Sequence, residues 1–234
     1  GVDVGEAQEL SEEITDNISE NINDEELLNI KTADENSLNE GTKKDDPRII
    51  FSNRERLISL NVKNGKPIEN FGKKGKVRTG LNVTTPLIYK NNIVIVTWDR
   101  AVEVYDLISG KTKWKLKYKK DNNKRIGGTK FNNAGANSWG GISADINRGI
   151  LYFTTGNPHF YFDGTRRPGR NKNSNSVIAV DLENKKELWS FQETAHDIWN
   201  LDLPAPPILT SIKKDNREID VVVTPTKRSN TLIL

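Results

Sequence analysis

The chain has 234 residues, 34% of them hydrophobic and 29% charged, with a net charge of +3, two histidines and no cysteine. That length suits one large or two small domains; the missing cysteines rule out disulfides and thiolate metal centres, and two histidines make a zinc site a poor candidate. No apolar run approaches the roughly 18–20 residues of a membrane helix, and no signal peptide opens the chain.

The charge is unevenly spread. Residues 1–46 hold fifteen Asp and Glu against three Lys, a net of −12, which leaves +15 for residues 47–234. The acidic stretch has no aromatic residue. It cannot bury enough apolar surface to offset its ordering entropy, so a disordered tail, linker or acidic interaction arm is expected, with at most a short helix around residues 24–30.

From Pro47 the pattern changes to short apolar runs separated by turn residues. Strands are predicted at 48–52, 56–62, 84–89, 93–98 and 102–107, with turns at Asn64-Gly65, Asn91-Asn92 and Asp99-Arg100. No helical periodicity of any length follows residue 47. Two stretches, 117–136 and 159–175, read as loop insertions. Further strands are predicted at 207–212, 219–224 and from 231. The apolar end Thr231-Leu232-Ile233-Leu234 reads as mid-strand. An unpaired edge there predicts a fragment, or a ring completed by another copy.

An internal repeat links these runs. Leu60-Asn61-Val62-Lys63-Asn64-Gly65-Lys66 matches Tyr105-Asp106-Leu107-Ile108-Ser109-Gly110-Lys111, and the second copy runs on to Trp114. A third copy is Val180-Asp181-Leu182-Glu183-Asn184-Lys185-Lys186-Glu187-Leu188-Trp189. Asp or Asn opens each turn, Gly supplies a positive φ in the first two, and the chain returns as a strand, which in the second and third copies carries Trp. Trp114 and Trp189 are read as packing residues between units. A period of about 40–50 residues with four strands per unit predicts an all-β fold, a β-propeller with roughly three to four blades over residues 47–234.

Three loop stretches stand out between residues 137 and 207. They are Asn137-Ser138-Trp139, Tyr152-Phe153-Thr154-Thr155-Gly156-Asn157-Pro158, and His196-Asp197-Ile198-Trp199-Asn200-Leu201-Asp202-Leu203-Pro204. Together with the Asp-x-x-x-Gly-Lys-x-x-Trp repeat they resemble the tryptophan-docking quinoproteins. Those are eight-bladed propellers that bind pyrroloquinoline quinone (PQQ), and the membrane-bound glucose dehydrogenase branch is the most similar. The resemblance covers residues 47–234 and not 1–46.

The resemblance implies roles residue by residue. Trp139 would be the floor under the quinone ring, where a core-packing Trp is the alternative. Asn157 would give its amide oxygen to Ca2+, where a turn Asn before Pro158 is the alternative. Lys227, in Thr224-Pro225-Thr226-Lys227, would contact the quinone oxygens, where a surface Lys is the alternative. Asn200 is a departure. The family places an Asp there as general base on the substrate hydroxyl, and a carboxamide cannot accept that proton. Asp197 and Asp202 match structural positions, although a strand would aim Asp202 to the same side as Asn200. His196 is expected to orient its loop and His159 to be an exposed loop residue. No counterpart of the family's carboxylate metal ligand is found in residues 1–46.

The implied activity is oxidation of an alcohol, polyol or aldose by hydride transfer to PQQ, with ubiquinone or a cytochrome as electron acceptor and a periplasmic setting. The rival is a non-catalytic propeller of the same repeat acting as a binding or assembly scaffold, which Asn200 favours. The lysines after residue 47 are scattered through turns, without the aromatic-interleaved stripe of a nucleic-acid surface, and no phosphate-cradling glycine loop opens a helix.

Overall fold

The computed structural model describes residues 47–118 and 135–234, and between them the backbone of two short paired strands. The predicted insertion at 117–136 lies mostly outside the described residues, as does the whole acidic stretch 1–46. Every regular element among the described residues is a strand.

Strands β1 (Arg48–Ser52), β2 (Arg54–Asn61) and β3 (Lys76–Asn82) form the first sheet. The second has β4 (Leu87–Tyr89), β5 (Asn92–Val96), β6 (Ala101–Asp106) and β7 (Thr112–Lys117). The two-stranded pair β8 (Arg125–Ile126) and β9 (Thr129–Lys130) follows. The third sheet has β10 (Ile142–Asp145), β11 (Ile150–Thr154), β12 (Ser176–Asp181) and β13 (Lys186–Gln192). The fourth has β14 (Ile208–Lys214), β15 (Arg217–Pro225) and β16 (Thr231–Ile233). Each of the four is an antiparallel meander in chain order. They are consecutive blades of a β-propeller, two of four strands and two of three.

Alternation along the strands explains why the blades stack. In β5, Ile93 and Ile95 join Leu57, Ile68 and Phe71 of the first blade, while Val94 and Val96 join Leu151, Phe153, Ile178 and Val180 of the third. In β11 and β12, Tyr152, Val177 and Ala179 turn the other way, toward Leu203 and Val222. Successive side chains point to opposite faces, so a strand buried on both faces reads as an unbroken apolar run such as Ile93-Val94-Ile95-Val96. Full burial of each such side chain contributes about 1.5–3 kcal/mol relative to exposure.

The repeated turn forms as expected. In the second blade Asp106 Oδ1 accepts the N–H groups of Ile108 and Ser109, and Gly110 has φ +69°. In the third blade Asp181 Oδ1 accepts from Glu183 and Asn184, and Lys185 takes the left-handed conformation at φ +56°. Trp114 packs half-buried against the core between the second and third blades. Trp189 differs from the expectation, being 37% exposed with its ring tilted against Tyr152 at 5.9 Å. Strands β3, β8, β9 and β10 were not predicted, and β8 and β9 fall in the stretch read as a loop insertion. Lys76–Asn82 has only Val77 and Leu81 as apolar positions, and Ile142–Asp145 is short and only half-buried throughout.

Candidate functional site

At one end of the third blade the loops around β11, β12 and residues 196–204 enclose a cleft of about 330 Å³. Trp139, Asn157 and Asn200 all line it, together with Asp202. Lys227 reaches the same wall, because its ammonium donates to Asp202 Oδ2 at 2.6 Å and to the Asn200 carbonyl at 3.2 Å. The sequence-derived residues, 88 positions apart from first to last, therefore meet in one place.

Glycines permit this convergence by letting loops touch. A Cβ on Gly156 would stand 2.5 Å from Asp202 Oδ1 and 2.8 Å from Trp139 Nε1. A Cβ on Gly140 would stand 2.5 Å from the Pro204 carbonyl oxygen. Residues 137–141, 155–158 and 200–206 are in this way pressed together without side chains between them. The Gly156 N–H donates to the Asn137 carbonyl at 2.9 Å, and the Asn175 N–H donates to the Gly156 carbonyl at 2.9 Å.

Asp202 is buried, and both of its oxygens are engaged. Oδ1 accepts the Asn157 N–H at 2.8 Å, and Oδ2 accepts from Lys227. Asn157 donates its side-chain Nδ2–H to Asn200 Oδ1 at 2.8 Å, so its own amide oxygen remains uncommitted. Asn200 has φ +61°, a left-handed conformation that Asn tolerates better than most residues. The expectation that a strand aims Asn200 and Asp202 alike is wrong in its premise. No strand runs through 200–207, and tertiary hydrogen bonds rather than pleating bring both residues to the cleft.

Asp197, 1% exposed, organises the loop beneath them. Its carboxylate accepts the N–H groups of Trp199 and Leu201 and the Asn175 side-chain amide, at 2.7–2.8 Å. His196 donates through Nδ1 to the Gly169 carbonyl at 2.9 Å, a loop-orienting contact. Arg167 is fully buried. Burial pulls its guanidinium down from the ordinary value, opposed by the charges of Asp197 and Asp163, yet arginine stays charged in such a setting.

Six lining residues, Trp98, Gly135, Asn137, Gly156, His159 and Tyr161, went unremarked as site residues in the sequence. His159, expected to be an exposed loop residue, is half-buried at the cleft, hydrogen-bonded to the Tyr161 hydroxyl at 3.1 Å. An isolated backbone bridge between Gly135 and Pro158 brings that loop in. The repeat itself could have located Trp98. Asn92 and Ile150 open their strands opposite Asp106 and Asp181, so Trp98 and Gly156 fall at the same place in successive blades. The Asn137 amide oxygen and the Ser138 hydroxyl are buried without a partner.

Residues 26–234 match the family model "PQQ: Glucose/ethanol/alcohol dehydrogenase, beta-propeller domain". Quinoprotein glucose dehydrogenase A of Acinetobacter calcoaceticus is 29% identical over an alignment of 216 positions that covers 80% of this chain and 27% of that protein. The glycerol dehydrogenase large subunit of Gluconobacter oxydans (strain 621H) is 28% identical over an alignment of 204 positions that covers 76% of this chain and 28% of that protein. The chain thus spans under a third of the length of these relatives. Among solved structures, the quinohemoprotein alcohol dehydrogenase from Comamonas testosteroni superposes with a TM-score of 0.64 at 21% identity, covering 80% of this chain and 32% of that one. That likeness establishes the propeller fold.

Proposed function

We propose, since the chain belongs to the PQQ glucose/ethanol/alcohol dehydrogenase β-propeller family, that the cleft beside Trp139 holds PQQ in a quinoprotein dehydrogenase acting on CH–OH groups. The observation that carries this is the meeting of Trp139, Asn157, Asn200 and Lys227 at one cleft. Its volume lies at the small end of the range usual for ligand sites. The donor set fits a flat, anionic quinone. Trp139 offers a part-exposed indole and Lys227 offers positive charge.

When bound, PQQ supplies the two-electron chemistry, and the protein's part is orientation and electrostatics. Trp139 stacks against the ring. Lys227 stabilises negative charge on the quinone oxygens, and Asp202 holds the ammonium in place. Asn157 has an uncommitted side-chain oxygen that could serve Ca2+, which takes six to eight oxygen ligands. Both Asp202 oxygens are engaged, so the described residues of the cleft do not make a Ca2+ site. Asn200 hydrogen-bonds the substrate hydroxyl but takes no proton from it. The substrate class is an alcohol, polyol or aldose, with ubiquinone or a cytochrome as acceptor and a periplasmic location.

The second reading is a PQQ-binding or scaffolding propeller without turnover. It is favoured by the Asn200 carboxamide and by the absence of an uncommitted carboxylate among the cleft's described residues. One titration separates the two. PQQ, with and without Ca2+, is added while tryptophan fluorescence is followed, and then glucose or glycerol with a dye acceptor. Quenching followed by dye reduction supports the dehydrogenase. Quenching alone leaves the silent binder, and gain of dye reduction in Asn200→Asp identifies the base as the missing part. No quenching removes both cofactor readings.

A further inference from the structure

Arg167 is the largest fully buried side chain among the described residues, and it lies behind the cleft's lining rather than in it. Its four hydrogen-bond acceptors are neutral oxygens of Phe160, Tyr161, Asn171 and Asp197. Nε donates to the Phe160 carbonyl at 3.1 Å, Nη2 to the Tyr161 carbonyl at 3.2 Å and to the Asp197 carbonyl, and Nη1 to Asn171 Oδ1 at 2.7 Å. Asn171 returns a bond from Nδ2 to the Arg167 carbonyl at 2.8 Å.

We propose that Arg167 is a positioning residue of the cleft, one enclosed guanidinium that ties the rim loop bearing His159 and Tyr161 to the loop bearing Asn200 and Asp202. On the rim side, the carbonyls it holds belong to Phe160 and Tyr161, directly after His159, and His159 and Tyr161 both line the cleft. On the other side, it holds the carbonyl of Asp197, whose carboxylate fixes the N–H groups on either side of Asn200. Arg167 adds a buried tie to the bonds already joining these segments, those of His196 to Gly169 and Arg170 and of Asn157 to Asn200 and Asp202. A planar fork with five donors can span three carbonyls and an amide, whereas a lysine ammonium is a single point of charge. Close loop contact supports the same coupling, since a Cβ on Gly164 would stand 2.4 Å from His196 Nε2.

The ligand arm of the test rests on the PQQ reading, and the loop arm does not. In the full chain, Arg167→Lys is expected to speed amide hydrogen exchange about tenfold in residues 158–166 and 196–203 together, with β11 and β12 still protected. PQQ affinity, read by tryptophan quenching, is expected to fall about tenfold as the cleft loses its geometry. In Arg167→Ala, dilute guanidinium ion is expected to recover about threefold of that affinity and ammonium none, because only a planar cation refills the fork. Should Arg167→Lys fail to fold, Asn171→Ala removes one anchor and is expected to show the same paired loosening at about threefold. Loosening of one segment alone, or of neither, overturns the tether. Loosening of both with PQQ affinity unchanged overturns the positioning role. If the parent chain does not bind PQQ, the cofactor reading falls, and the paired exchange still decides the tether.

Discussion

Aspartates serve opposite ends of the blades in different ways. Asp106 and Asp181 sit in the repeated turns, and their carboxylates bond main-chain groups two or three residues on, near the surface. Asp197 and Asp202 sit beside the cleft and are buried, and their partners include Asn175, Asn157 and Lys227, between 22 and 45 residues away. The turn carboxylates shape their own segment. The cleft carboxylates hold separate segments to one another, so removing one affects several loops at once.

The largest effect should come from Asp202→Ala. It strands the Asn157 N–H and releases Lys227, whose side chain is 36% exposed. Losing a charge-assisted bond and leaving a buried donor unsatisfied costs about 3 kcal/mol, after allowing for the partial exposure of the ammonium. Denaturant unfolding should report that loss together with loss of PQQ quenching. A change under about 0.5 kcal/mol, the usual range for surface substitutions, would show that the cross-loop bonds do not hold the cleft.

Gly156→Ala tests the same end without touching a charge. Its methyl group meets the Asp202 carboxylate and the Trp139 ring nitrogen. Such overpacking costs about 1–3 kcal/mol. Because the displaced groups are the cleft's own walls, ligand affinity should fall further than stability does. Equal losses in the two measurements would place the strain elsewhere.

At the turn end, Asp106→Ala removes an acceptor shared by the Ile108 and Ser109 N–H groups, in a turn where water can take its place. The expected loss is about 1 kcal/mol in unfolding free energy, with quinone binding unchanged. Weakened binding in this variant would break the division between the two ends.

This division also marks what the sequence could disclose. Blade strands were readable because both faces of Ile93-Val94-Ile95-Val96 are buried and the run is unbroken. The turns were readable because Asp, Gly and their partners lie within five residues. Trp139, Asn157, Asn200 and Lys227 could be named only through a resemblance, since no local pattern links them. Their meeting depends on loop contacts at Gly140 and Gly156 that carry no periodicity. His159 was read as an exposed loop residue because its environment is supplied by Gly135 and Tyr161, one of them distant in sequence. Arg167 lies in the stretch 159–175, read only as a loop insertion, and its acceptors on two separate segments are what distinguish it.

The smallest predicted effect is the response to acid. The side-chain and backbone N–H groups of Asn184 hold the Asp181 carboxyl below its ordinary value. For Asp106, burial alone would raise the carboxyl, but the Ser109 N–H and hydroxyl and nearby Lys113 outweigh it and leave it lowered as well. A carboxyl lowered in the folded state stabilises above its unfolded pKa, about 4, and that contribution is lost as pH falls through the folded value. Unfolding midpoints should thus be flat from neutral pH to about pH 5 and decline below about pH 4 as far as these turns are concerned. Asp181→Asn should make the decline shallower, since an amide oxygen still accepts from Glu183 and Asn184 but has no proton to gain. An unchanged acid limb in that variant would mean that the acid response comes from carboxylates other than this turn's.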